Sequence, residues 1–203
     1  TTLTIDITGT DDVPVIGGTA LGNVTEDLTL SATGTLTIAD PDAGQSGFVA
    51  KTTAGTYGSL SIDATGNWTY VLNNGAANVQ GLKQGQQVVD RINVTTLDGT
   101  TREIAITVTG TNDAPVVGTG SATVSEEGLA TGAPDGKGTS DTTNLTTASG
   151  TIAFGDADGN TLTATLSPPP VDITSGGKSI SWSGAGTSTL IGTAGGVEII
   201  RAT

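Results

Sequence analysis

The sequence contains no cysteine, no histidine and no methionine. The first absence rules out a disulfide framework and a thiolate metal site. The second removes the commonest general base and the commonest zinc ligand. Basic residues are scarce: seven Lys and Arg against twenty Asp and Glu give a net charge of −13. Nucleic acid and anionic membrane surfaces are bound through basic patches, so neither is expected as a partner. No apolar run approaches the roughly 20 residues of a membrane-spanning helix, so no membrane insertion is expected. No signal peptide is present, and position 1 is not methionine, which points to a mature segment or a piece of a longer chain. Aromatic residues are few (Phe48, Tyr57, Trp68, Tyr70, Phe154 and Trp182), so a core must rest on Val, Ile, Leu and Ala. An acidic chain free of cysteine suits a bacterial extracellular protein.

What is abundant is threonine, glycine, valine and isoleucine, the composition of strands and turns. Leu3, Ile5 and Ile7 alternate with polar residues and predict a half-buried strand. Residues 13–30 read as a strand region, and residues 34–38 as a strand opening into Asp40-Pro41-Asp42. Leu60 and Ile62 lead into a turn, after which Trp68, Tyr70 and Leu72 share one face. Asn73-Asn74-Gly75 reads as a turn and residues 81–86 as a loop. Strands over 88–97 and 102–108 flank Asp98-Gly99. About seven strands with turns every 8–12 residues indicate a β-sandwich, and no segment has sustained helical periodicity. Trp68 and Trp182 each lie in an alternating strand and are expected in a core rather than stacked on sugars.

The pattern is duplicated. Thr8-Gly9-Thr10-Asp11-Asp12-Val13-Pro14 returns as Thr109-Gly110-Thr111-Asn112-Asp113-Ala114-Pro115, an offset of 101 residues. Thr25-Glu26-Asp27 returns as Ser125-Glu126-Glu127 after 100 residues. Asp40-Pro41-Asp42 returns as Asp156-Ala157-Asp158 after 116, so about 16 extra residues fall within 128–145 as an exposed loop. The expected organisation is all-β: the last strand of a preceding domain with its linker over 1–12, a β-sandwich over 13–111, and a second, related sandwich over 112–203, incomplete or split at its C-terminus. Both are antiparallel Greek-key sandwiches joined by short acidic linkers.

Strand direction predicts which acids meet. The strand leaving the first linker ends near Glu26 and Asp27, and the next returns to bring Asp40 and Asp42 beside Asp11 and Asp12. The turn at Asp98 falls at that same end. At the second linker Glu26 and Asp27 meet Asn112 and Asp113, with Asp156, Asp158 and Asn160 arriving from beyond it. Glu126 would take the place of Glu26 in the second unit. Calcium takes six to eight oxygens from carboxylates, amides, carbonyls and water. Clustered carboxylates repel one another, and a divalent ion removes that repulsion. Ca2+ is therefore the expected cofactor. Asp63, Asp90, Asp135, Asp141 and Asp172 lack such company and are read as solvated.

Residues 13–115 resemble the VCBS repeat, a bacterial cadherin-like domain of giant adhesins of the RTX type exported by type I secretion. The likeness lies in Leu36-Thr37-Ile38-Ala39-Asp40-Pro41-Asp42, Gly58-Ser59-Leu60-Ser61-Ile62, Gly66-Asn67-Trp68-Thr69-Tyr70 and the closing Val108-Thr109-Gly110-Thr111-Asn112-Asp113-Ala114-Pro115. The second unit is similar to a related repeat through Val124-Ser125-Glu126-Glu127-Gly128-Leu129. The resemblance implies tandem extracellular sandwiches of cadherin/Ig-like type with calcium at their junctions. Their role would be a non-enzymatic extender that projects an adhesive domain toward a glycan, protein or surface in attachment or biofilm formation. Members often carry an acid where this chain has Gly85-Gln86-Gln87, which implies fewer or more weakly held ions.

Other readings are weaker. Asp156-Ala157-Asp158-Gly159-Asn160 lacks the glycine and the terminal acid of an EF-hand loop. The nonapeptide repeats of a calcium β-helix are missing. Thr-X-Thr runs fit the polar side of amphipathic strands better than an ice-binding face. A glycosidase carboxylate pair would have no reason to recur at linker positions. The main rival is a ligand-binding or split host domain carrying the adhesive module.

Overall fold

The computed structural model describes residues 2–124, 146–175 and 177–203. It divides into two units, Thr1–Asn160 and Thr161–Thr203.

The first unit is built on two sheets. The larger contains β1 (Val15–Gly18), β3 (Ser31–Ala39), β4 (Lys51–Ala54), β5 (Gly58–Ile62) and β6 (Asn67–Leu72) in the order β1-β3-β6-β5-β4, antiparallel throughout. The smaller contains β2 (Leu21–Thr25), β7 (Gln87–Thr95) and β8 (Thr101–Thr109) in the order β2-β8-β7. Period-two sequence decides which side chains enter the space between them. Leu60 and Ile62 of β5, Trp68, Tyr70 and Leu72 of β6, Ile92 and Val94 of β7, and Ile104, Ile106 and Val108 of β8 form one core with Val24, Leu36 and Phe48. Leu36 and Leu60 have no exposed surface, so truncating either to alanine costs about 2–5 kcal/mol. A single helical turn, α1 (Ala77–Gln80), is pinned to this core through Val79, and Leu82 follows it inward.

The strand region expected over 13–30 is two strands in different sheets. Gly18, at φ 89°, turns the chain where a side chain would collide with the backbone of Thr35 and Leu36. The chain leaves β3 after Thr19 donates to the Thr35 carbonyl, and β2 joins β8 in parallel, with Leu21 opposite Ala105 and Thr25 opposite Thr109. This parallel pair departs from a purely antiparallel arrangement. It carries residue 26 to the end of the sandwich where β8 exits.

Residues 2–9 differ from expectation. Leu3, Ile5 and Ile7 are 84 %, 74 % and 91 % exposed and join no sheet, because a period-two pattern buries a face only where a partner strand lies beside it. Beyond the second linker, β9 (Val116–Val117) pairs antiparallel with β10 (Phe154–Gly155), and Gly118 donates to the Ala153 carbonyl at 2.7 Å. That pairing returns the chain to the linker just before Asp156.

The second unit holds a hairpin, β11 (Thr174–Ser175) with β12 (Lys178–Ser179), and a sheet of β13 (Ser181–Ser183), β14 (Leu190–Ala194) and β15 (Val197–Ala202). Leu190 and Ala194 are its buried apolar residues. Trp182, expected in a core, is half-buried and faces Gly192 on the neighbouring strand.

Candidate metal centre

Nine residues of β3 span about 30 Å, the length of the sandwich. Carboxylates gather at both of its ends. At the near end, pairing of Val15 with Ala39 sets the first linker against the loop after β3. The Asp12 backbone N–H donates to Asp42 Oδ2 at 2.7 Å, and the Asp42 N–H donates to Asp40 Oδ1 at 2.8 Å. Gln45 Nε2 donates to Asp11 Oδ1 at 3.0 Å, and the Asp40 N–H donates to Ser46 Oγ at 3.1 Å. Asp40 Oδ2 and Gln45 Oε1 are buried and receive no donor. Asp98 is engaged elsewhere. Its two oxygens accept from the hydroxyls of Thr96 and Thr100 and from the Thr100 N–H, and these bonds hold its carboxyl below the usual range. It closes its own hairpin turn.

The far end combines three segments. Glu26 has no exposed surface; its Oε1 accepts from Gln80 Nε2 at 3.0 Å and its Oε2 from the Thr111 N–H at 3.1 Å. Its own N–H donates to the Thr109 carbonyl, so β2 and the linker leave the sandwich side by side. Asp27 adopts φ 58°, an uncommon conformation for a residue with a side chain, and is held in it by Asn74. The Asp27 N–H donates to Asn74 Oδ1 at 3.0 Å, and Asn74 Nδ2 donates to Asp27 Oδ1 at 2.6 Å. The Asp113 N–H donates to Asp158 Oδ2 at 2.8 Å. Asn160 donates from its backbone to Asp156 Oδ1 and from its side chain to Asn112 Oδ1, both at 3.2 Å. Gly110, at the start of this linker, has no room for a Cβ, which would stand 2.5 Å from the Leu82 carbonyl oxygen. The loop over 82–86 grips it there: Gly85 donates to its carbonyl, and its N–H donates to Gln86.

Electrostatics single out the far end. Asp158 is 3 % exposed, yet its Oδ1 has no hydrogen-bond donor, and Asp113 Oδ2 is buried without one as well. The two ion pairs among the described residues, Arg91–Glu103 and Arg201–Glu198, involve none of these acids. Burial pushes the Glu26 carboxyl above its usual range against the pull of the Thr111 N–H, and Asp113, Asp27 and Asp158 push it further. Burial likewise raises Asp113, with Asp158, Asp27 and Asp156 adding to the effect. An orphaned, desolvated carboxylate oxygen costs free energy that a cation would recover. Among the described residues no three acids close into a ready-made metal cage. Like charges without a counter-ion hold such side chains apart, and the donor set of carboxylate and amide oxygens is that of a hard cation.

Residues 11–110 match the bacterial cadherin-like domain. This cadherin-like domain starts within the first linker and ends within the second, so both acidic clusters fall at its boundaries. No curated protein matches the chain.

Several residues at these boundaries were not visible as site residues in the sequence. Gln45, Asn74, Gln80 and Gln84 all bond to cluster residues, Gln84 through its Oε1 to the Asn112 N–H at 3.1 Å. Gln86, from the Gly85-Gln86-Gln87 segment, turns its side-chain oxygen to the Lys83 N–H. Their amides resemble those of any loop, and only the fold brings Gln45 to the first linker, Gln84 to the second, and Asn74 and Gln80 to the acids of the β2–β3 turn. Glu126 lies outside the described residues, as do Asp135 and Asp141.

Asp90 is a correction. Expected in solvent, it is 2 % exposed and accepts from the Thr56 N–H at 2.9 Å, the Tyr57 N–H at 3.0 Å and the Tyr70 hydroxyl at 2.8 Å. Burial and then this bond hold the Tyr70 hydroxyl far above its ordinary pKa, fixing it as a donor. The signal was present in the sequence: Asp90 shares the inward phase of Ile92 and Val94. Asp63 and Asp172 are exposed as expected, and side-chain bonds from Thr65 and Asn67 lower the Asp63 carboxyl to about 2.

Proposed function

We propose that this chain is a calcium-stiffened, non-enzymatic extender segment of a bacterial cell-surface adhesin. Its cadherin-like domain would work in series with neighbouring domains of the same chain to project a distal adhesive domain for attachment or biofilm formation. Calcium binding is general among cadherin-like domains, and the family match suggests an extracellular setting, here by export through a type I system. The observation that carries the reading is the pair of orphaned buried oxygens, Asp158 Oδ1 and Asp113 Oδ2, at the domain's exit.

Asp113 and Asp158 would hold the ion with Glu26, Asp27 and Asp156. Asp11, Asp12, Asp40 and Asp42 would form the corresponding set at the entrance. A bound cation neutralises carboxylates drawn from three segments and makes separating them costly. The joint then bends less, and the role is mechanical. Extracellular calcium modules work at about 10⁻⁴–10⁻³ M, within reach of host or marine calcium.

The test is small-angle scattering of the 203-residue chain in calcium and in chelator, paired with calorimetric calcium titration. The expected result is saturable uptake with a shift to a more extended, less variable profile. Identical profiles in the two conditions would reject the stiffening role.

A further inference from the structure

The turn and helix between β6 and β7 touch both acids of the β2–β3 turn, and nothing in the calcium reading requires them to. Asn74 exchanges two hydrogen bonds with Asp27, one through each end of its amide. Gln80 Nε2 donates at once to Glu26 Oε1, at 3.0 Å, and to the Asn74 carbonyl, at 2.9 Å. The two amides thus form one connected frame beneath adjacent carboxylates. The frame is rigid because both ends are anchored: Asn73 donates to the Tyr57 carbonyl, Ala76 to that of Asn73, and Val79 and Leu82 are buried in the core.

Adjacent carboxylates repel, and Asp27 is among the charges that push the Glu26 carboxyl upward. Asp27 is exposed on its turn, and the two bonds it exchanges with Asn74 are what hold its carboxylate in place. An amide is suited to the task because it donates to a carboxylate and carries no charge that would compete with a cation. A lysine or arginine in either place would neutralise the site permanently.

We propose that Asn74 and Gln80 are positioning residues of the far-end site, which hold Asp27 and Glu26 facing Asp113 and the buried, unpartnered Asp158 oxygen before any cation arrives. The proposal rests on the calcium reading of that site. Oriented outer partners of metal ligands have measurable weight, and their loss costs about 10–100-fold in affinity.

The test compares calcium affinity with metal-free stability in the 203-residue chain, using Asn74→Ala, Gln80→Met and the control Asn78→Ala. Asn78 stands on the same helical turn and donates to the Thr56 carbonyl, away from the acids. Terbium luminescence lifetimes count the waters left on the bound ion, a readout that a purely structural residue would not move. The expected result is about 10-fold weaker calcium binding in each of the two variants, with more water on bound terbium and unchanged affinity in the control. Gln80→Met keeps the packing volume, so it reports on the site even if Asn74→Ala loosens the turn. Wild-type affinity and hydration in both variants would overturn the proposal. Asp158→Asn separates the two levels: if it leaves calcium uptake unchanged, the calcium reading of the far end fails; if it abolishes far-end uptake while Asn74→Ala and Gln80→Met do not weaken it, only the positioning role fails.

Discussion

The two ends of the cadherin-like domain carry similar acids in different surroundings. At the near end Asp11 and Asp12 lie exposed on an extended segment, and the contacts are backbone N–H groups and Gln45. At the far end Glu26 and Asp158 are buried, three segments converge, and the β9–β10 pairing holds the third in place. The difference is one of degree: Asp40 also carries a buried oxygen without a donor, but the far end adds the buried Glu26 and Asp158 from separate segments. Asp40-Pro41-Asp42 and Asp156-Ala157-Asp158 are the same motif, and burial separates them.

A sharper contrast sets Asp158 against Asp90. Both are buried carboxylates, but Asp90 is fully satisfied by three donors and Asp158 is left with a bare oxygen. Asp90→Ala strands two backbone N–H groups and the Tyr70 hydroxyl, each costing about 1–3 kcal/mol, so a loss of roughly 3 kcal/mol or more is expected in urea unfolding. Asp158→Asn should do the reverse. It should leave metal-free stability unchanged or higher, while calorimetry shows far-end calcium affinity reduced by at least the roughly 100-fold that outer-shell losses can reach. If Asp158→Asn destabilised the metal-free protein as Asp90→Ala does, the contrast would collapse.

A pH series separates the same groups by sign. Glu26 and Asp113 are raised above their ordinary values of 4.5 and 3.8, so the stability they lend is full below those values and is lost as pH rises through the raised ones. Asp63 is lowered to about 2, so its contribution is present above 3.8 and lost as pH falls toward 2. In chelator, unfolding free energy should decline as pH rises above these ordinary carboxylate values, and calcium should abolish the decline. A flat profile in chelator would count against strain at the far end. The smallest effect is expected from Asp42→Asn, which should reduce uptake at the near end only. Sites this far apart are additive, so far-end affinity should not change.

Much of the fold was legible because strands announce themselves by alternation. Trp68, Tyr70 and Leu72 on one strand and Ile104, Ile106 and Val108 on another read as inward and are inward. The same rule misled at Leu3, Ile5 and Ile7, where the pattern is present and the partner face is not. Of the site, the sequence marked the acids through their duplication and the strand directions that bring Glu26 toward Asn112. It did not mark the amides. Asn74 and Gln80 matter through bonds across 47 and 54 residues of chain, and no local pattern encodes a contact at that separation.

By itself the sequence determined the all-β character, the repeat of the acidic linker and the exclusion of thiolate and imidazole chemistry, since these follow from residue types and short-range period. Tertiary structure decided which carboxylates are satisfied and which are stranded. Asp63, Asp90, Asp98 and Asp158 are one residue type with different fates, set by whether hydroxyls, side-chain amides, backbone N–H groups or nothing faces each oxygen once the chain has packed.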